Sequence, residues 1–282
     1  MHSSDIDILY RHCWSEDTGA LLARLHQSLN PRSPTVLYDT LATFQITQES
    51  TLLDIGCGWG VHSCDLAARF GCQVTGIDLA PINVERARQL AQKMEIGGHT
   101  TFLQGEIQAL PLENAQFDFI WCYDMIEHVP DVVDGLRECA RVLKPEGTML
   151  LQTAHLAHHS LAQSDEVNNV YETLHICQKN LEQTFFEKCL REAGWQIEVK
   201  EQVGSEWIEY FCEQQDTSYG NIDPRDHLSL LHFSRLRRNK EQLVKQYGQA
   251  AYNVVYAIQF FQIQQILGNI NTAVYCLKKR RG

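Results

Sequence analysis

Three polar residues in one short stretch of the chain could do chemistry together. Asp124, Glu127 and His128 supply two carboxylates and an imidazole. Asp124 and Glu127 are three residues apart and are able to share one face of a helical turn. Such ligands suit divalent ions such as Mg²⁺, Mn²⁺ or Fe²⁺, which would lower the pKa of a substrate hydroxyl. Alternatively, His128 acts alone as a general base, or only packs, while the two acids are solvated.

The first clear element of the scaffold that must carry these residues is a strand followed by a glycine-rich turn. Residues 52–55 are apolar apart from Asp54, and Gly56, Gly58 and Gly60 follow before a helix predicted over residues 61–70. Such glycines let a ligand lie against bare backbone at the carboxyl edge of a parallel sheet. In the dinucleotide-binding fingerprint Gly-x-Gly-x-x-Gly, the third glycine would fall one residue later, at Val61. The alternative is a tight turn that binds no ligand.

A second predicted strand, residues 72–79, carries an acid at its end. Asp78 lies about 20 residues beyond the glycines, where a carboxylate accepts hydrogen bonds from both hydroxyls of a ribose. Because the ends of strands one and two are neighbours in a right-handed crossover unit, Asp78 and the glycines are expected to meet. Asp78 also lies near the start of a helix that Ala80 and Pro81 open, so an N-cap role is compatible with the ribose role.

The motifs over about residues 50–155 resemble those of the class I S-adenosylmethionine-dependent methyltransferases. The pattern is closest to the small-molecule O-methyltransferases of the ubiquinone pathway, with Glu146 in place of the usual first glycine of a late turn. Three stretches carry the resemblance: Asp-x-Gly-x-Gly-x-Gly at 54–60, Glu-His-Val-Pro-Asp at 127–131 and Leu-Lys-Pro at 143–145.

Besides the cap of one or two helices that the helical pattern over 236–268 predicts, the resemblance implies an α/β fold with a Rossmann-like sheet of seven strands, the last antiparallel. It implies S-adenosylmethionine as the cofactor. Glu106 stands where the family usually has an Asp that binds the adenine amino group, and the backbone of Ile107 would serve the adenine ring nitrogen. The residues expected to contact the cofactor are Asp54, Gly56, Gly58, Gly60, Asp78, Leu79, Glu106, Ile107 and Tyr123.

The resemblance also extends to the polar cluster. The ubiquinone O-methyltransferases and small-RNA 2′-O-methyltransferases carry Glu-x-x-Glu-His here and a further His downstream. This chain has Asp124, Glu127 and His128 in that pattern, and His175 falls where the later His is expected. A divalent metal would then be held by these four residues, with His128, Glu127 and Asp124 as the catalytic set. Glu-His-Val-Pro-Asp is also common in methyltransferases that use no metal.

Composition limits the partners and the compartment. The 282-residue chain has a net charge of −11, which argues against nucleic acid as a partner. It has no apolar run long enough to suggest a membrane span or a signal peptide, and its ten cysteines form no Cys-x-x-Cys pair, so a cytoplasmic protein is expected. The predicted division is an N-terminal helical lid at 1–45, a methyltransferase core at 46–203, a helical cap insertion at 204–270, and the last core strand with a basic tail at 271–282.

The sequence therefore predicts methyl transfer from S-adenosylmethionine to a small-molecule acceptor, with oxygen as the favoured atom and a divalent metal as an optional helper. Three alternatives stay open. The chain could methylate carbon on an apolar, isoprenoid-like molecule, it could use this fold for metal-dependent chemistry without methylation, or it could bind the cofactor without catalysis. Oligomeric state is not indicated by the sequence.

Overall fold

The computed structural model describes residues 16–17, 20–21, 36–157, 164–203 and 228–280. The chain divides into two compact units, residues 1–34 with 206–228 and residues 35–205 with 229–282. Most of the predicted N-terminal lid, and the predicted cap up to residue 227, lie outside the described residues.

The second unit is built on one sheet of seven strands. The order across the sheet is β3-β2-β1-β4-β5-β7-β6, and all strands are parallel except β7, which runs antiparallel to β5 and β6. This confirms the predicted α/β sheet with an antiparallel last strand. The strands are β1 (Thr51–Ile55), β2 (Gln73–Asp78), β3 (Thr100–Gln104), β4 (Phe117–Tyr123), β5 (Leu143–Leu156), β6 (Trp195–Gln202) and β7 (Ile270–Lys279).

Nine helices accompany the sheet within the described residues 36–157, 164–203 and 228–280. Their bounds are α1 (Val36–Ala42), α2 (Val61–Phe70), α3 (Pro81–Lys93), α4 (Val132–Val142), α5 (Asp165–Leu174), α6 (Gln183–Glu192), α7 (Leu228–Arg238), α8 (Lys240–Tyr247) and α9 (Gln249–Ile266). Two short 3-10 turns, Ile126–His128 and Gln178–Leu181, follow β4 and α5.

The core lies on both faces of the sheet because the central strands are apolar and covered on each side. Leu52 and Leu53 at the start of β1 are fully buried, as expected for the middle of a parallel sheet. On one face, α4 and α6 pack over β4 and β5, with Leu136 and Phe186 fully buried. On the other face, Tyr38 of α1 stacks on Trp121 of β4. These layers fix the strand ends at which the site residues lie.

Several elements end or begin at local turns. Strand β3 ends at Gln104, and Glu106 beyond it forms an isolated antiparallel bridge with Ala109. Helix α6 begins at Gln183 because a 3-10 turn occupies residues 178–181. The helical pattern over 236–268 forms parts of three helices rather than one or two, with breaks near Asn239 and Gly248.

The eight cysteines among the described residues are free thiols, and all but Cys177 are buried. Cys72, Cys122, Cys139 and Cys276 are among the buried ones and pack as small hydrophobic side chains. None of the described helices has the length and apolar character needed to span a bilayer.

Candidate cofactor and acceptor site

The glycine turn, residues 56–60, connects β1 to α2 with three glycines in the left-handed region. Gly56, Gly58 and Gly60 have φ values of 71°, 53° and 78°. Position 60 also requires glycine because its backbone lies close to α3: an added Cβ would lie 2.7 Å from the Cβ of Ala87. An added Cβ at Gly58 would meet no atom within 4 Å. The turn therefore packs tightly on one side and leaves open space on the other.

Asp78 is bound to the glycine turn. Its Oδ2 accepts a hydrogen bond from the backbone N–H of Gly58 at 2.9 Å. Its Oδ1 accepts one from the N–H of Ala80 at 2.8 Å and one from the side-chain amide of Asn83 at 3.1 Å. The predicted meeting of Asp78 and the turn is observed. Ala80, rather than Asp78, is the N-cap residue of α3.

A cavity of about 250 Å³, here called the edge cavity, opens at the carboxyl ends of β1 and β2. It brings together six of the predicted residues, although they are distant in sequence. Its remaining lining includes Met125, Val129 and Pro130. The six predicted residues are Gly56, Asp78, Leu79, Glu106, Ile107 and His128. Leu79 is 67% exposed and Ile107 is buried, so the cavity has an apolar rim and an apolar wall beside the Asp78 carboxylate.

Four predicted cofactor contacts do not line this cavity: Asp54, Gly58, Gly60 and Tyr123. Asp54 is buried and accepts a hydrogen bond of 2.5 Å from the Ser63 hydroxyl. Burial raises the pKa of the Asp54 carboxyl to about 7, partly opposed by that hydrogen bond. Tyr123 packs its ring on His62, with centroids 4.5 Å apart. Asp54 therefore supports the base of the glycine turn instead of facing the cavity.

Asp124 and Glu127 form a carboxyl pair. Asp124 precedes the 3-10 turn of residues 126–128 and adopts a left-handed φ of 51°, so the two acids do not share a helical turn as expected. Glu127 is 2% exposed and its Oε1 accepts a hydrogen bond from the N–H of Ala154, so it is not solvated. Burial, and then the charge of Asp124, raise the pKa of Glu127.

His128 lies where two cavities meet. A second cavity of about 560 Å³, here called the His128 groove, shares His128 and Pro130 with the edge cavity and is completed by α5 and residues 175–178. The Nδ1 of His128 lies 3.3 Å from the backbone carbonyl oxygen of His175. Because a carbonyl oxygen only accepts, this contact places the proton on Nδ1 and leaves Nε2 as the acceptor nitrogen.

The segment after α5 fixes the turn that carries His128. Asn180 is fully buried, and its side-chain amide donates to the carbonyls of Ile126, at 3.3 Å, and Val129, at 2.8 Å. The N–H of Cys177 donates to the carbonyl of Glu127 at 2.8 Å. Sequence reasoning missed Asn180 because it belongs to no motif, and it missed Met125, whose contact with Gly56 only the fold creates.

The predicted metal ligands do not form a metal site. Glu127 points toward the backbone of β5, His128 lines the cavity walls, and His175 contacts His128 through its main chain. Within the described ranges, no group of three or more His, Cys, Asp or Glu side chains is arranged to hold a metal ion. The donor set therefore does not support the predicted divalent metal.

Together, the strand order, the glycine turn and Asp78 at the end of β2 define the class I methyltransferase fold. Residues 53–151 match the family model described as "Methyltransferase domain". Residues 53–151 are thus similar to a methyltransferase domain, and they lie within a sheet of the strand order that the resemblance predicts.

Two curated relatives and one solved structure illustrate the match. The chain is 39% identical over 127 residues to the ubiquinone biosynthesis O-methyltransferase of Xanthomonas campestris pv. campestris (strain B100), which covers 45% of this chain and 50% of that protein. It is 31% identical over 121 residues to the chloroplastic tocopherol O-methyltransferase of Arabidopsis thaliana, covering 43% of this chain and 34% of that protein. This chain thus spans half or less of their length.

A solved structure shares the fold over most of the chain. The phosphoethanolamine N-methyltransferase 2 of Haemonchus contortus in complex with S-adenosyl-L-methionine has a TM-score of 0.64 and 22% identity. The match covers 98% of this chain and 60% of that one.

Proposed function

We propose that this chain binds S-adenosylmethionine in the edge cavity and transfers its methyl group to an oxygen of a small molecule in the His128 groove. The observation that carries the proposal is that His128 and Pro130 line both cavities. Direct transfer between two bound molecules requires them to meet with their reacting atoms close and aligned. Two cavities that share a wall residue provide that arrangement.

The cofactor part of the proposal rests on the geometry around Asp78. Its carboxylate is oriented by Gly58, Ala80 and Asn83. Oδ1 already accepts two of these hydrogen bonds and Oδ2 accepts one, so Oδ2 can still accept a hydrogen bond from a ribose hydroxyl. Leu79 and Ile107 supply apolar surface for the adenine. The methyltransferase-domain match and the names of the relatives support the same cofactor.

The transfer itself is an in-line displacement at the methyl carbon, which depends mostly on positioning. In the proposal, Nε2 of His128 accepts the proton of the acceptor hydroxyl while Nδ1–H stays bound to the carbonyl of His175. A base of this kind contributes roughly 10²–10⁴-fold. The favoured acceptor atom is oxygen because a hydroxyl gains most from such a base, and both named relatives are O-methyltransferases.

No step is assigned to a metal, because among the described residues no group of three His, Cys, Asp or Glu side chains is arranged to hold one. The His175→Asn variant tests this directly, since asparagine tolerates the left-handed backbone at this position and keeps the carbonyl that contacts His128. We expect its methyl-transfer rate to match the wild type. A divalent metal that the wild type binds and that His175→Asn loses, with binding of S-adenosylmethionine unchanged, would restore His175 as a ligand.

The cofactor claim is tested by titration calorimetry with S-adenosylmethionine and with its demethylated product. We expect Asp78→Asn to weaken binding by about tenfold or more, because charge-assisted hydrogen bonds to the ribose are lost. Glu85→Gln is the matched control, an exposed acid on α3 that does not line the cavity. Failure of the wild-type protein to bind either compound would refute the proposal.

The transfer claim is tested with labelled S-adenosylmethionine and a panel of hydroxylated small molecules, with the methylated atom located by NMR. At saturating cofactor, His128→Phe is expected to lose methyl transfer by about 10²-fold or more. A product methylated on carbon or nitrogen would contradict the choice of oxygen. An undiminished rate in His128→Phe would remove His128 as the base.

A further inference from the structure

A third cavity lies among the helices, away from the edge cavity. It has a volume of about 520 Å³ and is formed by α5, α9 and the junction of α7 and α8. This helical pocket and the His128 groove use different residues of α5: Glu166, Asn169, Val170 and Thr173 face the helical pocket, whereas Asn168, Tyr171 and Glu172 face the groove. Helix α5 therefore separates the two cavities.

The base of the helical pocket is apolar and buried. Val170 is 2% exposed, Ala257 is 1% exposed and Tyr252 is 7% exposed. The hydroxyl of Tyr252 donates to the carbonyl of Leu236 on α7, which fixes the ring. An apolar body can therefore be buried here at a favourable free energy.

The rim of the pocket carries two cations, Arg237 and Lys240. Lys240 Nζ lies 5.9 Å from the ring centroid of Tyr252, and the guanidinium of Arg237 lies 5.7 Å from that of Phe233. Among the described residues, neither cation has a carboxylate within ion-pair distance. In a chain with a net charge of −11, two such cations beside one cavity make it locally favourable for an anion.

The pocket also has one acid, Glu166, which accepts a hydrogen bond from the hydroxyl of Tyr256. That contact gives the carboxylate a partner within the pocket wall. The polar side chains of Asn169, Thr173 and Asn253 complete the rim and can donate hydrogen bonds.

We infer that the helical pocket binds a small organic oxyanion, a phosphate or carboxylate group on an apolar or aromatic body, with Arg237 and Lys240 holding the charged group. Arginine and lysine bind such groups through charge-assisted hydrogen bonds, and the buried floor receives the apolar body. This site is separate from the proposed cofactor and acceptor cavities, and it does not depend on methyl transfer.

The test is titration calorimetry on the full chain without S-adenosylmethionine, using phenyl phosphate, benzoate, inorganic phosphate and phenol at constant ionic strength. We expect phenyl phosphate or benzoate to bind more tightly than inorganic phosphate and than neutral phenol. Which of the two binds better identifies the preferred oxyanion. Absence of binding, or equal binding of phenol, would overturn the inference.

Variants assign the binding to this pocket. Arg237→Gln and Lys240→Gln are each expected to weaken the bound oxyanion about tenfold, the loss of one charge-assisted hydrogen bond. Glu166→Gln removes a nearby negative charge and keeps an acceptor for Tyr256, so it is expected to tighten binding. Arg238→Gln and Lys245→Gln are controls from the same helices that do not line the pocket. Equal weakening in the controls, or no change in Arg237→Gln and Lys240→Gln, would refute the assignment.

Discussion

Replacing Gly60 by alanine tests whether the glycine turn depends on contact with α3. The new Cβ would lie 2.7 Å from Ala87 Cβ and 3.0 Å from Phe102 Cζ, which forces the packing to shift. Overpacking of this kind costs about 1–3 kcal/mol. The left-handed φ of 78° adds about 1–2 kcal/mol for a residue with a Cβ. The reduced entropy of the unfolded chain returns about 0.4–1 kcal/mol. The expected net loss is about 2–4 kcal/mol.

Gly58→Ala is the matched control because it separates backbone from packing. Gly58 is also left-handed, with a φ of 53°, but an added Cβ meets no atom within 4 Å. It carries the backbone cost alone, about 1 kcal/mol after the same entropic correction. The assay is urea unfolding followed by circular dichroism, comparing the two variants with the wild type. Equal destabilisation of the two variants would show that the approach of the turn to Ala87 is not what requires glycine at position 60.

Two further variants test other parts of the site and core. Asn180→Ala removes the side-chain donor to the buried carbonyl of Val129 and one of the two donors to that of Ile126, which keeps the N–H of Val129. It should lower the free energy of unfolding by about 2–4 kcal/mol, whereas exposed Asn168→Ala should change it by less than about 0.5 kcal/mol. Equal losses in urea unfolding would contradict this reading of Asn180. His155 is 1% exposed, and burial lowers its pKa from 6.5 to about 4, so the unfolded chain binds the proton first as the pH falls. Through this residue, the wild type should lose roughly 3 kcal/mol of its free energy of unfolding between pH 6.5 and pH 4. The His155→Phe variant should lack this pH dependence. Parallel pH profiles of unfolding for the two proteins would show that His155 is not the cause.

The elements that could be predicted from sequence are those whose pattern is local. The glycine spacing of 56–60 and the acid at Asp78 predicted a turn and a strand end that meet at one sheet edge, and they do. These predictions succeed because the glycines of a tight turn follow directly from backbone geometry, and because neighbouring parallel strands end at the same edge of a sheet.

The orientation of the polar cluster could not be predicted in this way. Their spacing allows Asp124 and Glu127 to share one helical face. In the structure Asp124 has a left-handed backbone and lies before the 3-10 turn that contains Glu127. The role of Asn180 depends on contacts with residues more than fifty positions away, at Ile126 and Val129. Both outcomes depend on contacts between residues that are distant in the sequence, and a local sequence pattern does not reveal such contacts.

The place of β7 in the sheet has a consequence for folding kinetics. Strand β6 precedes β7 in the chain, yet β7 lies between β5 and β6 and is the sheet neighbour of both. Pairs such as Met149 with Leu277 close a very long loop, which slows the search for the native topology. Until β7 docks, β5 presents an open hydrogen-bonding edge and β6 has no partner strand among the described residues. Chains halted at that stage are the ones expected to associate edge to edge, so the yield on refolding should fall as protein concentration rises.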